Sequence, residues 1–420
     1  MNKKIFIILP HKDQFIKTYA GSASIWVKDF LNVSKYKNVI KVFGSTKETI
    51  NIFVKKNYQN IKIPKIKFAS KSNFYTNKLI NYCKIYKPAL IEIHNRPSYL
   101  INISKFYNKT NFILVIHNDP LNLKGSMTIS QRKKLLEICY RIYFVSSWVE
   151  DKFFEGIDKN FYNNFKTIYP SINKITKFPK KDNVIIFSGK LNLAKGFDKF
   201  ATAIIKILNK YKNWKSIIIG DEPREKYSFK HQRLLFTGWI PQDKVLSLYE
   251  KSSITVVPSL WEEPFGRSSL EAGSRGNAVI ISKKGGLPET INNPTFLEKV
   301  NSISIESEIE KLIKNKKLLK AKQFLSFKKP LHIIKNNIKI IDEDRKNALL
   351  PFKKININKN SKLKILHVFN RAEKIGGRIY FISTGKKIEN GLIRLGHDVE
   401  GISDRDILSY NPKINARQTL

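Results

Sequence analysis

The stretch Trp261-Glu262-Glu263-Pro264-Phe265-Gly266-Arg267-Ser268-Ser269-Leu270-Glu271-Ala272 follows the apolar run Ile254-Thr255-Val256-Val257-Pro258. It reads as strand, loop and helix start. Pro264 suits the first turn of a helix, where its missing N–H costs nothing. The N–H groups of Phe265, Gly266 and Arg267 would then lack helical partners and be open to an anion. Glu271 would lie more than a turn into that helix, roughly 7–8 Å along the axis at ~1.5 Å per residue. Acid, anion hole and second acid bracket a ligand with hydroxyls at both ends and phosphate between them. A nucleotide-diphosphate sugar has that layout.

Outward from this stretch, short apolar runs alternate with helical patterns, the signature of parallel α/β architecture. Before it stand the strands Val184–Phe187, Ser216–Ile219 and Leu234–Thr237, with helices expected at Phe197–Tyr211 and Asp243–Lys251. After it come Ala278-Val279-Ile280-Ile281 and Gly285-Gly286-Leu287-Pro288-Glu289, then a Lys-rich, mostly helical stretch from Ile303 to about Arg345. The first part of the chain carries its own series: Ile5–Leu9, Val39–Phe43, Ala89–Ile93, Asn111–Ile116 and Arg141–Val145. Two of these strands run into His94-Asn95-Arg96-Pro97 and His117-Asn118-Asp119-Pro120. In open parallel sheets the carboxyl ends of strands form the ligand crevice, so both histidines are expected there.

The domains expected are an N-terminal Rossmann-like domain over 1–178, a second over 179–345 and a polar linker over 346–362. Beyond it, 363–420 reads as a partial β-α-β unit: strand Leu363–Phe369, turn at Gly376-Gly377, helix Ile379–Leu395 and a second strand after Val399. This repeats the scheme of residues 4–43 and looks like the opening of another such domain.

The 77 Lys and Arg outnumber the 34 Asp and Glu, a formal charge of +43. Such a field attracts nucleic acid, anionic lipid or a polyanionic substrate. Lys, Asn and Ile are spread along the whole chain, which favours compositional drift over a built groove. No aromatic-basic module, zinc spacing or recognition-helix pattern marks a specific nucleic-acid binder. Cys83 and Cys139 are the only cysteines, so no disulfide framework or zinc site is expected. The basic start, Met1-Asn2-Lys3-Lys4, precedes an apolar run too short for a signal peptide, and no run reaches the ~20 residues of a membrane span. The expected compartment is the cytoplasm, with peripheral contact at the inner face of an anionic membrane open to so basic a surface.

Residues 183–290 resemble the nucleotide-sugar domain of glycosyltransferase family 4, the retaining, GT-B-fold branch of the glycosyl transferases group 1. The resemblance rests on Ser188-Gly189-Lys190 with Lys195-Gly196, Ile219-Gly220-Asp221, Phe236-Thr237-Gly238-Trp239, Val257-Pro258-Ser259, the Glu263/Glu271 motif and Gly285-Gly286-Leu287-Pro288-Glu289, in this order and spacing. The N-terminal half resembles the family's acceptor domain more loosely. The implied fold is GT-B: two Rossmann-like domains facing a cleft.

The implied activity moves a sugar from a UDP- or GDP-sugar donor to an acceptor hydroxyl with retention, in surface polysaccharide, lipopolysaccharide or glycolipid synthesis. The acceptor would be a sugar, a lipid-linked glycan or a polysaccharide, and neither metal nor other cofactor is implied. By the same resemblance Glu263 contacts the transferred sugar, Glu271 the ribose, and Lys190 and Lys195 the diphosphate. Lys190 stands where the family usually has arginine, which keeps the charge and loses the bidentate fork. Gly189, Phe265 and Gly266 would offer backbone approach or donors, and His117 would meet the donor sugar from the opposite domain. Arg267 either adds charge or faces solvent. Gly21 stands in Ala20-Gly21 where the family often has two glycines, at a loop where backbone approaches phosphate and acceptor.

Each of these residues also has a structural reading: a core histidine, surface lysines, solvated helix acids. Other functions compatible with the chain are a GT-B epimerase or hydrolase acting on nucleotide sugars, a non-catalytic basic binding protein, and a silent partner of a second transferase begun at 363–420.

Overall fold

The computed structural model describes residues 4–48, 50–64, 70–107, 110–225, 227–328, 330–350, 364–369 and 384–403. Residues 1–350 form one compact unit and 351–420 another.

The first unit holds two parallel sheets. The first contains β1 (Ile5–Ile8), β2 (Ile40–Gly44), β3 (Tyr58–Asn60), β4 (Leu90–His94), β5 (Asn111–Ile116), β6 (Arg141–Phe144) and β7 (Phe165–Thr167), in the order β3-β2-β1-β4-β5-β6-β7. The second contains β8 (Val184–Ser188), β9 (Lys215–Ile219), β10 (Leu234–Gly238), β11 (Ile254–Val257), β12 (Ala278–Ser282) and β13 (Thr295–Leu297), in the order β10-β9-β8-β11-β12-β13. All pairings within both sheets are parallel, as in Ile5↔Leu90 and Ile254↔Ile185. Central strands such as Ile5–Ile8 and Ile254–Val257 are buried along their whole length, which is why they read as unbroken apolar runs rather than alternating ones.

The helices are α1 (Ser22–Val33), α2 (Lys71–Tyr86), α3 (Pro97–Ser104), α4 (Ile129–Ile138), α5 (Ser147–Phe154), α6 (Phe197–Lys210), α7 (Gln242–Lys251), α8 (Arg267–Ser274), α9 (Ser302–Lys314), α10 (Lys316–Lys328) and α11 (Ile334–Leu349). Helix α6 shows how they dock: Phe197, Phe200, Ala201, Ile204, Ile207 and Leu208 recur at helical spacing and are all buried. They share one core with Ile305, Ile309 and Leu312 of α9.

Strands β3, β7 and β13 were not expected from the sequence. Each has three residues, too few to show a period. Helix α11 lies at the end of the stretch grouped above with the second domain, yet its Ile334, Ile338 and Ile341 join the core of the first sheet with Ile5, Ile7 and Val115. The chain thus returns to its first domain before residue 350.

In the second unit β14 (Lys364–Phe369) pairs in parallel with β15 (Asp398–Ser403), from Lys364↔Asp398 to Phe369↔Ser403, and α12 (Thr384–Arg394) lies between them in sequence. This is the β-α-β order read from the sequence. Gly376-Gly377 and the linker residues 351–362 lie outside the described residues.

Candidate active site

Each sheet has one place where the chain reverses direction of travel: between β1 and β4 in the first, between β8 and β11 in the second. Loops at the carboxyl ends of strands flanking such a point diverge and leave a crevice. Gly189 and Lys190 follow β8, and Glu263 follows β11. His94 ends β4, and His117 follows β5 beside it.

Lys195 Nζ contacts Glu263 Oε1 directly. Lys195 closes a short turn, Leu193–Lys195, whose Asn192 side chain caps the Lys195 N–H at 3.0 Å. Glu263 is 6% exposed, and its carbonyl accepts from Gly286 N at 2.7 Å. At Gly285, φ is +57° and an added Cβ would stand 2.2 Å from the Glu263 carbonyl oxygen. The Gly285-Gly286 pair therefore lets one loop lie flat against the loop bearing Glu263.

Helix α8 begins at Arg267, after Gly266 at φ +103°, so Pro264 is outside the helix rather than in its first turn. The Pro264 carbonyl instead accepts from Ser146 Oγ of the first domain at 2.5 Å. Among the described residues the N–H groups of Phe265 and Gly266 have no protein acceptor. The Phe265 ring is buried against Tyr169 and His332, with centroids 6.0 and 5.6 Å away. This residue therefore anchors the loop while its amide stays open.

Arg267 does not face solvent. Its NH2 reaches Asp29 Oδ2 on α1 of the first domain at 2.5 Å, and its Nε reaches Glu271 Oε1 at 2.7 Å. Glu271 also accepts from Gln242 Nε2 at 2.6 Å, and Gln242 Oε1 accepts from Lys28 Nζ at 2.9 Å. A cavity between the domains is lined by Ala20 and Ile25 on one side and by Gly189, Trp239, Gln242 and Glu271 on the other. Trp239, one of its lining residues, stacks on Tyr19 of the first domain with ring centroids 6.4 Å apart. Gly189 and Gly220 meet so closely that a Cβ on Gly220 would lie 1.9 Å from the Gly189 oxygen. Lys190 is exposed and, among the described residues, has no ion-pair partner.

Gly21 precedes α1 with an ordinary φ of −77°. Its N–H donates to Asp13 Oδ1 at 3.1 Å, and a Cβ there would stand 2.5 Å from that oxygen. The glycine is needed for the close approach of Asp13, and its amide is already bonded.

His117 is 5% exposed. Its Nε2 is 2.9 Å from His94 Nδ1, whose other nitrogen, Nε2, is 3.0 Å from Glu92 Oε1. Burial, then His94, then Arg267 hold His117 well below the usual imidazole range, so it is neutral at pH 7. Burial alone would raise Glu92, but Arg345, and behind it His94, outweigh that and take it down to about 2. The Glu92 carboxylate thus requires a proton on His94 Nε2 and orients the ring that meets His117.

The fold brings together Lys195 with Glu263, and Arg267 with Glu271, while Lys190 stays apart from both acids. Asp29, Gln242, Glu92 and Arg345 escaped the sequence reading because each acts on a partner distant in sequence, and Asp13 because its partners Gly21 and Ser24 lie across a loop with no period. Glu289 was read only as part of a motif, yet its carboxylate accepts from Ser147 N at 2.7 Å and Trp148 N at 2.9 Å. An acid at the first turn of α5 is favoured by the helix dipole and ties the two domains together.

Residues 169–327 match the family described as Glycosyl transferases group 1. The Bacillus subtilis protein YtcC is 25% identical over 255 residues, 53% of this chain and 62% of that protein. The lipopolysaccharide 1,2-N-acetylglucosaminetransferase of Salmonella typhimurium is 26% identical over 151 residues, 32% of this chain and 40% of that enzyme. The chain spans less than two-thirds of the length of each of these relatives. The crystal structure of Anabaena HepE in complex with UDP and glucose superposes with a TM-score of 0.64 at 15% identity, covering 80% of this chain and 98% of that one. The fold is thus that of GT-B glycosyltransferases, two Rossmann-like α/β domains about a cleft, and residues 169–327 match the glycosyl transferases group 1 domain.

Proposed function

We propose that the protein transfers a sugar from a nucleotide-diphosphate sugar to an acceptor hydroxyl with retention of configuration. The observation that carries this is the Lys195–Glu263 contact at the second sheet's crevice, with Glu271 bordering the adjoining cavity. The cation and the unbonded amides of Phe265 and Gly266 suit a diphosphate. Glu263 suits the hydroxyls of the sugar, and Glu271 those of a ribose. As the sugar–phosphate bond lengthens, Lys190, Lys195 and the amides take up the developing charge. The acceptor hydroxyl attacks from the face the diphosphate leaves and passes its proton to the departing phosphate oxygen, without a protein nucleophile or a metal. Neutral His117 would meet the donor sugar from the first domain.

The donor is UDP- or GDP-linked, and the setting is the synthesis of a surface polysaccharide, lipopolysaccharide or glycolipid at the cytoplasmic side of a membrane. The likeness to the Salmonella enzyme supports that setting. Among the described residues no helix is long and apolar enough to cross a membrane.

A thermal-shift panel of UDP- and GDP-sugars tests the donor. A ligand that binds only the folded state at ~100 times its Kd adds about 2.7 kcal/mol. Absence of stabilisation by every nucleotide sugar would overturn the reading. EDTA is expected to leave transfer unchanged, and turnover of the donor without any acceptor would indicate an epimerase or hydrolase instead.

A further inference from the structure

At the carboxyl ends of β1 and β4, on the first-domain side of the crevice, His11 and Arg96 lie beside the hydroxyl of Tyr99. His11 Nδ1 lies 2.6 Å from that hydroxyl, on a tyrosine that is 1% exposed. Burial raises the Tyr99 phenol, and Ser72, His11 and Arg96 oppose the rise, so all three stand beside it. Burial, then Arg96, Lys12 and Lys71, hold His11 below its ordinary value, and no carboxylate offsets them. Asp13, two residues on, is committed to Gly21 N and Ser24 Oγ.

In so basic a chain unpaired lysines mean little, but an unpaired arginine is unusual here. Every other arginine of the first unit has a carboxylate partner or is bonded by three or more main-chain carbonyls. Among the described residues the Arg96 side chain bonds only the carbonyl of its neighbour Asn95, at 2.8 Å, with the Tyr99 hydroxyl nearby. Its half-buried guanidinium therefore keeps donors in hand. A guanidinium with donors in hand beside an imidazole that meets a buried hydroxyl, with Lys12 and Lys71 adding positive charge near that imidazole, suits a doubly charged oxyanion, and a guanidinium fork suits phosphate geometry.

We infer that this is a phosphate site, with Arg96 as its principal ligand and His11, Lys12 and Lys71 around it, and that the acceptor is a phosphorylated sugar or lipid. That the occupant is an acceptor rests on the glycosyl-transfer reading; the anion site itself does not.

The test follows the His11 imidazole by NMR in the full chain, with the resonance identified by His11→Gln and with UDP saturating so that phosphate cannot occupy the donor site. Glucose 6-phosphate is expected to shift His11 saturably and to move its titration midpoint upward. Glucose should do neither. Arg96→Lys should weaken binding at least tenfold with the fold intact, and Lys12→Gln or Lys71→Gln should weaken it less. An unmoved His11, equal binding by Arg96→Lys and wild type, or tighter binding of glucuronate than of glucose 6-phosphate would overturn the proposal. Calorimetry of UDP alone separates the two readings. If UDP fails to bind while glucose 6-phosphate still moves His11, the donor assignment fails and the phosphate site stands.

Discussion

Glu92 and Arg345 are 253 positions apart in the chain and 2.9 Å apart in the fold, with neither side chain exposed. Arg345 also reaches Asp342 at 3.2 Å, and Asp342 in turn accepts from Ser34 Oγ at 2.7 Å. Through this pair α11 is tied to the strand that carries His94, so a helix remote from the cleft sets the position of the histidine pair. Removing one member of a buried ion pair strands the other without solvation, which costs about 3–5 kcal/mol. Arg345→Met is expected to lower the urea midpoint accordingly. Glu92→Gln/Arg345→Met should recover part of the loss, because the Glu92 charge is gone, while Asp342 loses its cation but keeps its bonds from Ser34 Oγ and Lys35 N.

The same carboxylate sets an acid limit. Glu92 has a folded pKa of about 2 against an ordinary value of 4.5. Its depressed pKa means that its contribution is complete above pH 4.5 and is lost as pH falls toward 2. His117 acts in the same direction at higher pH. Held neutral well below 6.5, it binds its proton more readily when the chain unfolds. Stability should therefore already decline as pH drops below 6.5. His117→Asn should flatten that upper part of a stability–pH curve and leave the part near pH 2–4.5 in place.

Glu263 is the acid expected to distinguish transition state from ground state. Glu263→Ala should reduce kcat by about 10²–10³, the range for deleting one preorganised polar group at a reacting centre. Full transfer activity by this variant would remove Glu263 from the chemistry.

Gly285 tests the loop that supports it. At φ +57°, with the Glu263 carbonyl 2.2 Å from where a Cβ would be, alanine must push the two loops apart. Gly285→Ala should cost about 1–3 kcal/mol in stability. It should also lower kcat while leaving affinity for UDP alone nearly unchanged, measured by calorimetry.

Asp29 and Arg267 join the two domains beside Glu271. Asp29→Asn keeps the shape and removes the charge, and its expected cost is about 1.5–3 kcal/mol, the value of a hydrogen bond to a charged group. With Asp29 neutral, Arg267 pairs with Glu271 alone. Donor KM should rise with kcat less affected, and steady-state kinetics on Asp29→Asn checks this.

The order of elements was legible in the chain because parallel strands buried on both faces read as apolar runs, and the helices between them carry one apolar stripe. The acidic motif was legible because Glu263, Pro264, Gly266 and Glu271 lie within one loop and helix. Such signals are local: backbone conformation, burial of a face and spacing along one element are written into neighbouring residues. The three-residue edge strands left no period to read. The meeting of Lys195 with Glu263, 68 positions on, of Arg267 with Asp29, 238 positions back, and of Arg345 with Glu92 belongs to the tertiary structure. So does the return of α11 to the first sheet. Which charge neutralises which, and which arginine keeps donors in hand, depends on distances across folded space, and Coulomb and hydrogen-bond energies are decided there rather than along the chain.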